Sequence, residues 1–276
     1  MRRAVIDSNL ISSDQLRLYL SVSGNVAVLP DYIWIECYKQ GSVRAVSELI
    51  SVIRDYPRQV VVLQPGGFLA NVDPREPGYL ETFARSNVAA DLLAMAAALD
   101  QAELGEEEVL AQLREQWARA DQIMEGMLEG AAEIAPSLPE LAAIFSADEL
   151  RRCRTKASYS PGMTWKIFST AHGLYEIFTT KRGRLPLLPP PHAVQTYYYR
   201  LALGTMLHCI WWIQNGSQPV RRLDRLRNDF IDLGLAVCAT YYDDLLTADA
   251  KAKWMYRQLS NALQFAEFMA VRESTA

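Results

Sequence analysis

Three short runs of aliphatic, mostly β-branched residues, Ala4-Val5-Ile6, Val26-Ala27-Val28-Leu29 and Val60-Val61-Val62-Leu63, are separated by two stretches with helical spacing. No other feature limits the fold more. Strand, helix, strand, helix, strand at this pitch requires crossover connections, which make the strands parallel and the connections right-handed. Ser12 or Ser13 caps the first helix, with Leu16, Leu20 and Tyr19 toward its buried side. Pro30 suits the first turn of the next helix. In that helix Ile33, Glu36 and Cys37 share a face, so Glu36 projects toward the core side. Helical spacing resumes from Val43 to Ile53. One further short apolar run, Leu245-Leu246-Thr247, comes near the end of the chain, giving an α/β fold with a parallel sheet of four to five strands flanked by helices.

The alternation stops at Pro65-Gly66-Gly67. From Tyr79 to Ala147 the spacing is helical throughout, with Leu92, Met95, Ala96 and Leu99 on one face and Leu110, Leu113, Trp117 and Ala120 on another. Glu106-Glu107-Glu108 reads as a solvated helix start, and Met124, Met127 and Leu128 as core packing. Residues 151–192 are more basic: Arg151, Arg152, Arg154 and Lys156, then Lys181, Arg182 and Arg184, with aromatic residues among them. That mixture can stack bases and hold phosphates, and it equally describes a helical subdomain with a charged rim. Pro189-Pro190-Pro191 reads as a stiff extended link. An apolar helix follows from Tyr197 to Ile213, containing Trp211-Trp212. The division expected is a first half of the sheet domain at 1–66, an all-α insertion at 67–200 and the second half at 201–276.

Of the 276 residues, half are apolar and 22% charged, the composition of a globular chain. A net charge of -4 does not favour coating nucleic acid or anionic membrane, although local basic clusters act through their own field. The four cysteines are scattered and imply neither a disulfide framework nor a zinc site; reduced thiols in a cytoplasm are the expectation. The apolar run at the N-terminus stops at Asp7, too soon for a signal-peptide core. Leu201 to Ile213 contains His208 and falls short of the ~20 residues a membrane span needs.

Acidic residues recur at the ends of these elements. Asp7 closes the first strand, and Glu36 faces inward from the helix after the second. Asn228 is a plausible N-cap for a late helix with Asp229 and Asp232 in its first turn. Asp249 follows the last strand. In a parallel sheet Asp7 and Asp249 then share the carboxyl edge, where such sheets place their ligands. Carboxylates that converge without Lys or Arg partners repel one another. A hard divalent cation relieves that repulsion, and oxygen-only ligation suits Mg²⁺ or Mn²⁺. Such an ion activates water and stabilises the charge growing on a phosphate under attack. No histidine has a recognisable partner for serine or cysteine nucleophilic catalysis.

Val5-Ile6-Asp7-Ser8-Asn9, Leu29-Pro30-Asp31 with Glu36, Asn228-Asp229-x-x-Asp232 and Leu246-Thr247-x-Asp249, in this order, resemble the motif series of the PIN (PilT N-terminus) nuclease superfamily. The match covers roughly residues 4–63 and 220–270. The resemblance implies a parallel sheet between helices and metal-dependent cleavage of RNA, or of DNA. It implies Asp7, Glu36, Asp232 and Asp249 as ligands of Mg²⁺ or Mn²⁺, with Asp229 as an alternative to Asp232 or a partner behind it. Asn9 and Thr247 would orient the carboxylates. The family core resembles a domain of roughly half this length, so the helical insertion has no counterpart in it.

Two functions follow. The first is a metal-dependent endoribonuclease, of toxin or defence type, in which water attacks an RNA phosphodiester in line; an inhibitory protein of the antitoxin kind is a partner it would have, and a homo-oligomer a form it could take. Arg221, Arg222, Arg225, Arg227, Lys251 and Lys253 would hold the RNA backbone. The second is a catalytically inactive PIN-like scaffold whose helical insert binds a protein partner.

Overall fold

A computed structural model describes residues 1–39, 41–182 and 185–275. Four strands, β1 (Arg2–Ile6), β2 (Asn25–Leu29), β3 (Val60–Val62) and β4 (Asp244–Leu246), form one sheet in the order β3-β2-β1-β4. Every neighbouring pair is parallel, with Val5 opposite Val28, Leu29 opposite Val62 and Ile6 opposite Leu246. The chain is therefore an α/β protein with a parallel sheet flanked by many helices, and the C-terminal ends of all four strands lie along one edge.

Helices α1 (Asp14–Leu20), α2 (Tyr32–Tyr38) and α3 (Val43–Ile50) connect the first three strands. Ser13 caps α1, accepting from the Leu16 amide at 3.2 Å, and Ser42 caps α3. Pro30 falls just outside α2, whose N-cap is Asp31. The helical spacing to Ile53 breaks after Ile50, where a 3-10 turn follows. Beyond β3 the chain forms a single turn, α4 (Gly66–Leu69), then α5 (Val88–Glu103), α6 (Glu107–Ile134), α7 (Ser137–Ala142), α8 (Ala147–Arg154) and α9 (Pro161–Arg182). The triproline is not an extended link: α10 (Pro190–Ala193) makes one helical turn, with Pro189 as its N-cap, because proline is tolerated where the first amides have no partner anyway. Then come α11 (Tyr197–Gln214), α12 (Leu223–Ala239) and, after β4, α13 (Ala250–Thr275).

The period-2 alternation of the strands divides the core in two. Ala4, Ile6, Ala27, Leu29, Val60 and Val62 pack with α1, α2, α3, α5 and the start of α6. Val5, Val26 and Val28 face the other way, into a larger core filled by α9, α11, α12 and α13. The helices between β3 and α11 thus share cores with both faces of the sheet. Along α11 every residue from Tyr197 to Ile210 except Leu201 is buried, including Arg200 and His208. Among the described residues no helix is long and apolar enough to cross a membrane.

The late acidic helix begins earlier than its composition suggests. Its N-cap is Arg222 and not Asn228, so Asp229 and Asp232 stand in its middle and not in its first turn. Leu226, 3% exposed, extends the buried stripe of Leu233 and Val237 by two turns, and that burial outweighs the capping preference of Asn228. Of the basic residues of 151–192, Arg151 pairs with Asp148, and Arg152 donates to the Ser158 carbonyl. Arg184 and the side chain of Arg182 lie outside the described residues.

Gly234 on α12 has the Tyr32 ring of α2 against it, and a Cβ there would stand 2.7 Å from Tyr32 Cε2. A partly buried ring seated this close to the helix backbone cannot yield cheaply. Gly234→Ala is expected to destabilise the protein by about 1–3 kcal/mol, the usual cost of overpacking, read as a lower urea midpoint.

Candidate active site

Pairing of β4 with β1 brings the two most distant motifs of the chain together. Asp7, just past β1, is 5% exposed. Its carboxylate is nevertheless satisfied. Asn9 Nδ2 donates to Oδ2 at 2.7 Å, Thr247 Oγ1 donates to the same oxygen, and Ser8 Oγ lies 3.4 Å from Oδ1. Asn9 Oδ1 in turn accepts from the Ala248 amide at 3.2 Å. Thr247 Oγ1 accepts from the Asp249 amide at 2.9 Å, and Asp249 Oδ1 accepts from the Ala252 amide at 2.7 Å at the start of α13. Asp7 and Asp249 are thereby fixed on the same edge of the sheet through one threonine hydroxyl.

Asp232 faces them from α12. Burial, then the Asp249 and Asp7 carboxylates, push its carboxyl up to about 7, with Lys251 acting in the opposite direction. Asp229, one helical turn earlier, is in the reverse situation. Burial would raise it, but His208 and Lys251 outweigh burial and hold it below the usual carboxylate range. Lys251 Nζ is ion-paired to Asp229 Oδ1, and His208 Nε2 lies 3.3 Å from Asp229 Oδ2. A carboxylate only accepts, so the His208 ring donates from Nε2, leaving its buried Nδ1 without a partner among the described residues. Burial keeps His208 below its ordinary pKa, against the pull of Asp229. Both oxygens of Asp229 are thus occupied, whereas no ion pair joins Asp232 to a cation among the described residues.

Glu36 stands on α2, one turn beyond the Tyr32 that touches Gly234 of α12. Its side chain is 21% exposed and pairs with Lys39 Nζ at 3.0 Å. Of the basic residues expected to hold substrate, Lys251 is the one in direct contact with the acidic group. Arg222 is tied to Asp224, Arg227 donates to Asn228 Oδ1 at 3.1 Å, and Arg221, Arg225 and Lys253 are exposed. Among the described residues no three His, Cys, Asp or Glu side chains form a group ready to ligate one metal ion.

Comparison with family models, with curated proteins and with solved structures found no match.

Sequence spacing does not reveal the contact of His208 with Asp229, so a histidine with no recognisable partner in the sequence has one in the fold. The signal available is α11 itself: a helix apolar on all sides carries Arg200 and His208, and buried polar groups of that kind need partners. The Lys251 contact is equally unmarked, since a lysine in a first helical turn reads as solvated.

Lys251→Met leaves a half-buried Asp229 carboxylate with only His208, and is expected to cost about 1–2 kcal/mol at pH 7, allowing for partial exposure. Because the Asp229 pKa is depressed in the fold, the pairing stabilises above the unfolded carboxylate value and is lost as pH falls through the folded one. Urea midpoints of parent and variant should therefore stay apart down to about pH 4 and converge below it.

Proposed function

We propose that the chain is a metal-dependent nuclease of the PIN-like kind, hydrolysing RNA phosphodiester bonds at the edge shared by Asp7, Asp232 and Asp249. The observation that carries this reading is the Thr247 hydroxyl, which joins the Asp7 carboxylate to the Asp249 backbone amide, with both carboxylates near enough to Asp232 to raise its pKa after burial has done so. The order of the motifs along the chain supports the same reading.

The donor set fits a hard divalent cation. It is all oxygen, burial and then the Asp249 and Asp7 carboxylates raise the Asp232 pKa, and Mg²⁺ or Mn²⁺ would offset the repulsion among the three. Asp7, Asp232 and Asp249 would hold the ion through direct and water-bridged contacts, since such ions retain several waters. Glu36 would join them only by leaving Lys39. When bound, the ion supplies a lowered water pKa and charge stabilisation at the phosphate. The chain's own residues do the rest. Asn9 and Thr247 fix the Asp7 carboxylate in one orientation. Asp229 is already committed to His208 and Lys251, so it would act behind the ligands, and the Lys251 ammonium that it holds would supply a counter-charge to a substrate phosphate.

Mn²⁺ should raise the melting temperature of the parent by mass action on the folded state, and Asp7→Asn with Asp249→Asn should remove the gain. Asp232→Asn should do so too, with a second signature. The raised Asp232 pKa means that stability is lost as pH rises from about 4 through 7. The asparagine variant should therefore be more stable than the metal-free parent at pH 8, by on the order of 2 kcal/mol, and lose that advantage near pH 4. Cleavage of single-stranded RNA with Mn²⁺ should fail in all of these variants. A parent that gains nothing from Mn²⁺ and cuts no RNA would leave the scaffold reading in its place.

A further inference from the structure

A cleft of about 570 Å³ opens where β2 and β3 end; Asp7, Asp232 and Asp249 are not among its lining residues. Its volume is within the ~300–1,000 Å³ typical of ligand pockets. Its floor is formed by Asp31 after β2 and by Val62 and Pro65 at the end of β3. Val5 is opposite Val28 and Leu29 opposite Val62, so these strand ends lie beside the β1 end that carries Asp7. Neighbouring strands are about 4.8 Å apart, and the cleft therefore begins one strand away from Asp7. Trp34 and Tyr38 of α2 form one wall, and Arg119 and Ile123 of α6 form the other. Arg85, beyond β3, completes the rim.

Neither Arg85 nor Arg119 forms an ion pair among the described residues, although both are exposed at the cleft. Two unpaired guanidinium groups beside an indole and a phenol suit a ligand that joins a flat ring to an anion. Arginine binds phosphate through a planar fork, and aromatic rings stack bases without sequence preference. Asp31 and Asp91 also line the cleft. They repel phosphate but accept from base amino groups, which directs the phosphates to the arginines and the base inward. The far wall of the cleft, α6, also packs against α2 and against α12, the helix that carries Asp232.

We propose that this cleft seats a nucleotide of single-stranded RNA next to the scissile bond, with the base against Trp34 and Tyr38 and the phosphates against Arg85 and Arg119. This rests on the nuclease reading for its substrate class, and it gives the helical insertion a purpose, since α5 and α6 build the wall of a substrate groove.

The test is binding of a fluorescein-labelled six-nucleotide oligoadenylate by the full chain in EDTA, followed by anisotropy. Arg85→Ala with Arg119→Ala should weaken binding tenfold or more and make the slope of log K against log salt shallower by roughly 1 to 1.5. Trp34→Leu should weaken binding at least fivefold, and Trp34→Phe, which keeps a stacking face, should restore most of it. If Trp34→Leu fails to fold, the arginine pair decides. Binding by the double arginine variant within twofold of the parent overturns the proposal. So does full displacement of the strand by equimolar adenosine 5′-monophosphate, which would make this a free-nucleotide site. The Mn²⁺ melting shift separates the two readings. A normal shift with arginine-independent binding discards the cleft alone, and arginine-dependent binding without any shift upholds the cleft and discards the metal.

Discussion

A carboxyl group as buried as Asp7 has to find hydrogen-bond partners, because a buried polar group left without them is costly. Two donors, Ser8 and Asn9, are local; the third, Thr247, is 240 positions away in sequence. Much of the architecture follows from delivering that distant donor. β4 has only three residues, so pairing with β1 contributes few backbone hydrogen bonds. What fixes the return of the chain is side-chain chemistry at the strand end, where Thr247, Asn9 and the Ala248 and Asp249 amides close one small network around Asp7. The same network sets the first turn of α13, and with it the position of Lys251.

Delivery also depends on a second buried polar centre. Arg200 of α11 is 4% exposed and has no carboxylate partner among the described residues. It donates instead to the Thr240 carbonyl at 2.8 Å, to Thr240 Oγ1 at 3.0 Å and to Gln195 Oε1 at 2.8 Å, and lies 3.8 Å from the centre of the Tyr241 ring. Thr240 and Tyr241 form the turn between α12 and β4. A guanidinium satisfied by carbonyls and an aromatic face thus anchors α11 to the segment that leads into the site. The helices inserted between β3 and α11 are therefore not an appendage. They pack against α11, share its core with Val5 and Val28 of the sheet, and hold α12 at the height where Asp232 meets Asp7 and Asp249.

The parts of this that are legible in the sequence are those carried by local pattern. Runs such as Val26-Ala27-Val28-Leu29 bounded by Gly24-Asn25 and Pro30 leave little choice but a buried strand, and the crossover rule then makes the sheet parallel. That rule alone places Asp7 and Asp249 on a common edge. The start of α12 is misleading in the sequence because capping preference at Asn228 is worth about 1 kcal/mol, while the burial of Leu226 ahead of it is worth more. The single turn at Pro190–Ala193 is hidden by a proline run that also suits extended chain. His208 and Lys251 cannot be assigned from sequence, since their meeting at Asp229 depends on how α11, α12 and α13 cross, and no periodicity encodes a crossing.

Charge at the site bears on whether the acids serve structure or chemistry. Asp7, Asp229, Asp232 and Asp249 bring four carboxylates together, and Lys251 supplies one ammonium, which Asp229 engages directly. Asp7 is met by neutral donors and Asp249 caps a helix, so both have a structural use. Asp232 has none: it caps nothing, pairs with no cation among the described residues, and is pushed toward the protonated form by burial and then by the Asp249 and Asp7 carboxylates. Asparagine at that position would relieve the repulsion and keep the shape. The Asp232 charge is thus unfavourable within the chain itself, whereas the Asp7 and Asp249 carboxylates are each met by donors that the fold supplies.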